Sequence, residues 1–427
     1  MQKLVRFLVV VSVVMMMSPA AFATNGDNLM AIGPIARAMG GVGIAAPQDA
    51  ISAVFANPAA MCFSPYCPSS EVNFGGTAFL PHPHASVSTG GNTTSSDSDG
   101  KVFPIPAIGL SVPITTGPPF WRFGIAAYGV SGLGVDYRNT VLDQPRFFNF
   151  GPQGQFPLIA GAYTQLSILK FAPTIAFQPY NNLSFGASFH LDYATLDLGQ
   201  GSSSGFGAGA QLGMIYKVND DLSLGLSYVT PQNVDHDNVN DFNGDGKLDG
   251  LSLQAPQQVG IGAAYQLFGH KLLLETDLKW INWANANGYE TFDWENQWVV
   301  GVGAQYKPIP QLALRAGYNY GNNPVNAHNG FVGALGAPGS LTNVQGKILP
   351  TYYYETFRII GFPAIVEHHA TAGIGYEFSP RLAINFAYAH AFENSISETG
   401  TNLVGQPTTL KSKLSEDSLE FGLTWRF

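Results

Sequence analysis

The residues best equipped for chemistry in this chain fall into a few groups. Asp241-Phe242-Asn243-Gly244-Asp245-Gly246-Lys247-Leu248-Asp249 matches the calcium-loop pattern D-x-N-x-D-G-x-x-D. Asp241, Asn243, Asp245 and Asp249 would offer side-chain oxygens, Lys247 its carbonyl, and Gly246 the sharp turn. The twelfth position is Ser252 instead of a bidentate Glu, so such an ion would be structural and weakly held, at about 10⁻⁴–10⁻³ M. Cys62 and Cys67 are the only cysteines and would close a small disulfide loop in an oxidising compartment. Glu275, Asp277 and Lys279 share one face of their segment. Arg315 shares that interior, and these charges are expected to pair with one another. His190 and Asp192 also share a face, but no nucleophile pairs with them, which leaves a lipid hydrolase unsupported. His82-x-His84 and His368-His369 sit at expected loop or strand ends without a third metal ligand, and read as solvated. Gly41-Val42-Gly43-Ile44-Ala45-Ala46 imitates a dinucleotide fingerprint, but no strand precedes it.

The composition says what kind of scaffold must position these groups. Charged residues make up 11% of the 427, against roughly 25% in an average soluble domain. Glycine contributes 49 residues, and aromatics 12%. That is too little charge for the shell of a soluble globule and too much apolar content for disorder. The formal charge of −9 excludes a strongly basic nucleic-acid binder. No apolar run beyond the N-terminus is long enough for a helical span. A membrane β-barrel remains.

Residues 1–23 read as a secretory signal peptide: Lys3 and Arg6, an apolar stretch from Leu8 to Met17, then Ala21-Phe22-Ala23. Its removal takes the formal charge from −9 to −11. Residues 24–68 are rich in Ala and Gly and lack strand alternation. They read as an N-terminal plug with a short helix from Pro47 to Ala56.

Residues 69–427 alternate with period two in fourteen runs. Leu419, Phe421, Leu423, Trp425 and Phe427 face one way; Glu420, Gly422, Thr424 and Arg426 face the other. The second face is mostly Gly, Ser, Asn and Thr, which suits a barrel lumen. Short connections alternate with long ones near 82–100, 131–157, 231–256, 283–296, 321–368 and 393–415, as in a barrel with short periplasmic turns and long external loops. The expectation is an all-β, 14-stranded antiparallel transmembrane barrel with a short helical N-terminal hatch. Phe427 would be the aromatic terminus presented to barrel-assembly machinery.

The plug carries Arg37-Ala38-Met39-Gly40-Gly41-Val42-Gly43, then Gln48-Asp49-Ala50 and Asn57-Pro58-Ala59. In these motifs the chain resembles the FadL/TodX-type long-chain fatty acid transporters of Gram-negative outer membranes, a family that includes aromatic-hydrocarbon transporters. The resemblance implies a hatch inside a fourteen-stranded barrel, with Arg37, Gly41, Gly43, Asn57, Pro58 and Ala59 in gating. It implies capture of a hydrophobic substrate by external loops, hatch movement, and exit through a kink near strand three. Family members place apolar residues at the mature N-terminus. Here that end begins Thr24-Asn25-Gly26-Asp27-Asn28, so Leu29 and Met30 are the first substrate-contacting candidates.

The expected activity is import of long-chain fatty acids, with aromatic or alkane hydrocarbons next. No enzymatic step and no required cofactor are expected, calcium being structural at most. Expected partners are the substrate, outer-membrane lipid and lipopolysaccharide, with the barrel a monomer. A general porin would need an open, charged constriction, and a surface adhesin would use the long 321–368 loop.

Overall fold

The computed structural model describes residues 24–62, 70–100, 102–115, 117, 119–144, 146–147 and 155–427. The signal segment 1–23 and the Cys62–Cys67 pairing lie outside the described residues. Fourteen long strands form the wall. They are β1 (Glu71–Thr89), β2 (Phe103–Pro113), β3 (Phe120–Asp136), β4 (Tyr163–Tyr180), β5 (Leu183–Asp197), β6 (Ser202–Lys217) and β7 (Leu222–Val229). After these come β8 (Gln258–Leu267), β9 (Leu272–Ile281), β10 (Gln297–Ile309), β11 (Leu312–Gly321), β12 (His368–Ser379), β13 (Leu382–Thr401) and β14 (Pro407–Arg426). Each pairs antiparallel with the next. β14 returns to β1 in an unbroken register from Thr408↔Thr89 to Arg426↔Glu71, which closes the barrel. Closure leaves the sheet without a free first or last strand, as the hydrocarbon layer requires.

The period-two pattern sorts the side chains. Leu419 and Trp425 on β14 are about half exposed, whereas Glu420 and Thr424 between them are buried. Val300 and Val302 on β10 are open to the outside, and Val299 faces in. The apolar set meets lipid and the small or polar set lines the lumen.

Two expected loops are largely strand. Residues 82–89 continue β1 and fold back through a six-residue strand, Asn92–Asp97. β13 and β14 extend to Thr401 and Pro407, so their connection is only 402–406. Ser and Thr dominate these extensions, and without an apolar outer face they read as loop. The other long connections carry small hairpins of their own, such as Gln232–Asn240 with Asp249–Ala255 and Leu341–Val344 with Lys347–Pro350.

Residues 24–62 fill the lumen as a hatch. It contains a two-residue ribbon (Thr24–Asn25 with Asn28–Leu29), helix α1 (Pro34–Ala38), helix α2 (Ala50–Ala56) and a 3-10 turn at Pro58–Cys62. α2 begins at Ala50, three residues later than the expected Pro47. Asp49 takes the N-cap, its carboxylate accepting the Ser52 N–H at 2.8 Å in a capping box.

The wall is thinned where the hatch backbone crosses it. A Cβ on Gly317 of β11 would lie 2.2 Å from backbone atoms of Met39 and Gly40. One on Gly213 of β6 would lie 2.0 Å from Asn57 Oδ1. Glycine is required at both positions by close approach. Gly317→Val is therefore expected to leave the barrel assembled but lift the hatch from the wall. Entry of a large hydrophilic antibiotic into cells expressing the variant should rise; unchanged entry would show that the hatch does not depend on this contact.

Candidate functional site

The hatch has little secondary structure, so many of its backbone N–H groups need acceptors from elsewhere. The wall supplies carboxylates. Asp277 Oδ2 accepts the N–H groups of Gly43 (2.9 Å) and Ile44 (3.1 Å). Glu275 Oε1 accepts those of Ala45 (2.9 Å) and Ala46 (2.8 Å). Glu71 and Asn73 of β1 share the Ala50 N–H at the start of α2. Glu420 of β14 accepts the Gly33 N–H at 3.0 Å and pairs with Arg37 Nε at 2.7 Å. Both members of that ion pair are fully withdrawn from solvent. Arg37 also donates to Ala31 O at 2.7 Å, and Thr24 donates to Glu416.

This corrects the expected charge network. Glu275 and Asp277 hold hatch backbone, not cations. Lys279 donates to Gly41 O at 3.2 Å. Among the described residues, no carboxylate lies within 4.0 Å of its ammonium. Arg315 is held by two amides, Gln305 Oε1 (2.7 Å) and Asn385 Oδ1 (2.9 Å), and Gln305 in turn donates to Gln48 of the hatch at 3.0 Å.

The other hatch residues singled out by motif lie at contacts with the wall or within the hatch. Asn57 is fully buried. Its amide donates to Ile44 O (2.7 Å), to Met214 O of β6 (3.1 Å) and to Leu226 O of β7 (3.3 Å), while its Oδ1 accepts the Ala59 N–H. One side chain thus joins two hatch segments to a wall seam. Pro58 and Ala59 sit over Gly186, and Ser184 donates to Ala59 O at 2.7 Å. Gly41 has φ +76°, and a Cβ there would lie 2.7 Å from Met30 O. An Ala at Gly41 would be strained on both counts.

Above the hatch is a small cavity of about 80 Å³. Leu29, Met30, Ile44, Phe55, Tyr128 and Val130 contribute apolar or aromatic lining, and Lys279, Lys170 and His190 bring polarity. Leu29 and Met30 therefore line the cavity, together with the polar Asn25 and Asn28. Lys170 pairs with Asp192 at 3.0 Å and also contacts His190 and Gln232. His190 and Asp192 are thus brought together with a lysine and an amide.

The wall beside the cavity has a break in its ladder. β2 and β3 pair only from Ala107↔Tyr128 to Pro113↔Arg122. Beyond that, Phe103–Pro106 pairs only with β1, and Gly129–Asp136 pairs with β4 across a register shift at Val130. Pro104 and Pro106 have no N–H with which to continue the ladder. The gap is closed above by the Asp99 N–H donating to Asp136 O at 2.7 Å. Side chains cover it: Phe103 stacks edge-on against Phe79, and a Cβ on Gly129 would lie 2.6 Å from Ile105. Val130 belongs to the cavity and to this window alike. The prolines in a strand were the available signal; the window itself depends on which neighbour each half of β2 pairs with.

In the Asp241–Asp249 loop, Asp241 Oδ1 accepts the N–H groups of Gly244 and Asp245, and Oδ2 that of Gly246. Asp249 is paired with Lys347 at 2.7 Å. The histidine doublets are not uniformly solvated. His369 is fully buried and faces Asn319 O, whereas His368 hydrogen-bonds Tyr318 on the outside. His84 pairs with Asp97 at 2.7 Å, and His82 lies 3.8 Å from Asp417.

Residues 202–332 match the family model described as outer membrane protein transport protein (OMPP1/FadL/TodX). No curated protein matches the chain. Among solved structures, the Pseudomonas putida toluene transporter TodX is 18% identical, with a TM-score of 0.65 over 95% of this chain and 100% of that one. A Pseudomonas aeruginosa FadL homologue is 16% identical, with a TM-score of 0.62 over 96% and 99%. The Ralstonia pickettii toluene transporter TbuX is 16% identical, with a TM-score of 0.62 over 93% and 99%. At these identities the likeness is one of fold.

The buried Arg37–Glu420 pair gives a direct test of the hatch anchorage. Glu420→Gln should cost about 3–5 kcal/mol by leaving Arg37 without its counter-charge. Hatch release, followed as protease access to residues 24–62 in increasing urea, should come at lower denaturant. Release at the wild-type concentration would mean that the pair does not anchor the hatch.

Proposed function

We propose that this chain is an outer-membrane transport protein of the OMPP1/FadL/TodX type, which imports hydrophobic molecules through the lumen cavity and releases them sideways between β2 and β3. The observation that carries the reading is the continuity of the cavity with the ladder break at Val130. The window opens toward lipid, and the hatch fills the lumen below. A substrate leaving sideways never has to cross water. Its apolar surface is worth about 0.8 kcal/mol per methylene kept dry. The transport itself calls for no covalent chemistry.

Long-chain fatty acids are the first substrate class. The cavity offers apolar walls for an alkyl chain and, in Lys279, an ammonium with no carboxylate within 4.0 Å among the described residues. Monoaromatic hydrocarbons are the second class, supported by the two similarly folded proteins described as toluene transporters. In either case the hatch would shift about Asn57, whose amide ties it to the β6–β7 seam. Calcium at Asp241–Asp249 would order the external loop after displacing Lys347 from Asp249. Calcium-dependent protection of that loop from protease checks this.

Whole-cell uptake of labelled oleate and labelled toluene, in a host lacking its own transporter, tests the reading. Wild-type protein should carry oleate faster than toluene. Gly129→Leu should wedge the window against Ile105 and reduce uptake at least tenfold with the barrel still folded. Asn57→Ala should slow uptake while leaving membrane insertion intact. Selective toluene entry would move the protein to the hydrocarbon class. Undiminished uptake in Gly129→Leu would overturn the lateral exit.

A further inference from the structure

Three external segments meet at one buried polar cluster. His328 comes from the connection between β11 and β12. Glu355 and Arg358 come from helix α3 (Thr351–Thr356) and its π-helical continuation Phe357–Gly361. Glu398 stands on the upper end of β13, and Asp293 lies between β9 and β10. His328 Nδ1 is 3.0 and 3.1 Å from the two carboxylate oxygens of Glu355, and its Nε2 is 2.8 Å from Asp293 Oδ2. Arg358 donates to Glu355 Oε2 at 3.0 Å and to Glu398 Oε1. The His328 N–H also donates to Glu398 Oε1, at 2.9 Å. Glu398 and Arg358 are fully buried, Glu355 nearly so. Glu398 Oε2 is buried with no hydrogen-bond partner.

Three features of this arrangement call for a cation. With Nε2–H donating to Asp293, the Nδ1 side that faces Glu355 at 3.0 Å must be filled by a second proton or by a metal ion. Two buried carboxylates, Glu355 and Glu398, stand against one guanidinium, an excess of one negative charge in a dry place, with the more exposed Asp293 beside them. The unpartnered Glu398 oxygen completes the set: ligand atoms of His328, Glu355 and Glu398 all lie within 4.8 Å of one another. Four-coordinate zinc, with ligand bonds of about 2.0–2.2 Å, brings its ligands to roughly 3.3–3.6 Å from each other.

We propose that this cluster is a binding site for a zinc-class divalent cation. His328 Nδ1, Glu355 Oε1 and Glu398 Oε2 are the ligands, and water takes the fourth place. Asp293 orients the imidazole through Nε2–H, the carboxylate–histidine–metal arrangement that raises ligand basicity. Arg358 engages the other oxygen of each glutamate and holds both in register. Imidazole and carboxylate donors suit zinc over calcium or magnesium. The bound ion neutralises the cluster and clamps the β9–β10 and β11–β12 connections to the top of β13. His328 and Asp293 are the partly exposed members, which leaves an entry path from outside.

The test uses the full-length purified protein, stripped with chelator and equilibrated with micromolar zinc. Elemental analysis should find about one zinc per chain. His328→Ala and Glu398→Gln should each lower zinc affinity at least tenfold. Asp293→Asn should lower it about tenfold through the imidazole alone. Heat-modifiable gel migration verifies that each barrel is folded, and a folded Asp293→Asn variant keeps the test decisive if a ligand variant fails to assemble. Absence of stoichiometric zinc, or zinc unaffected by these substitutions, would overturn the site. In the first case a proton on His328 would be the bridging cation.

Discussion

The constraint on which the structure depends is the need of buried backbone N–H groups for acceptors. A barrel wall satisfies its own backbone by closing on itself. The hatch cannot, because α1 and α2 are short and, past the turn at Met39–Gly41 that closes α1, the N–H groups of Gly43 to Ala46 have no ladder or helix partners. Its amides must therefore bond to wall side chains. Glu71, Glu275, Asp277 and Glu420 meet that need from three strands, β1, β9 and β14. A carboxylate accepting two N–H groups makes charge-assisted bonds, roughly twice as strong as neutral ones. The same groups that would line the constriction of an open pore here hold a plug.

Two consequences follow for the substrate path. With Glu275 and Asp277 committed to amides, Lys279 is left with a carbonyl partner and its charge faces the cavity. The break between β2 and β3 lies beside the cavity, with Val130 belonging to both. That break costs little backbone satisfaction, because Pro104 and Pro106 have no N–H to strand. Anchorage of the hatch, placement of the cation and the proposed sideways exit are linked by one allocation of hydrogen bonds.

The wall was legible in the sequence because alternation is a local signal. Leu419 to Phe427 announces β14 by itself, and the same holds for most of the fourteen strands. It failed at residues 82–89 and 393–401, where strands leave the membrane and lose the apolar face that marks them. The segment before the wall was marked out by its lack of alternation, and Asn57 and Arg37 by the motifs they stand in. Their partners were not. Glu420 stands 383 residues from Arg37, and nothing at either position announces the pairing. The assumption that nearby opposite charges pair was misleading for Lys279, because the strongest acceptors were taken by backbone. The cluster of His328, Glu355 and Glu398 was invisible for the same reason: its members lie on separate segments and no spacing motif links them.

The central claim is that the carboxylate-anchored hatch leaves no open aqueous pore, and that transport proceeds through the wall. Planar-bilayer recording of the purified wild-type barrel tests this most directly. The account predicts no sustained ion conductance from protein that supports hydrophobic uptake in cells. A steady, ohmic conductance of general-porin size would contradict it.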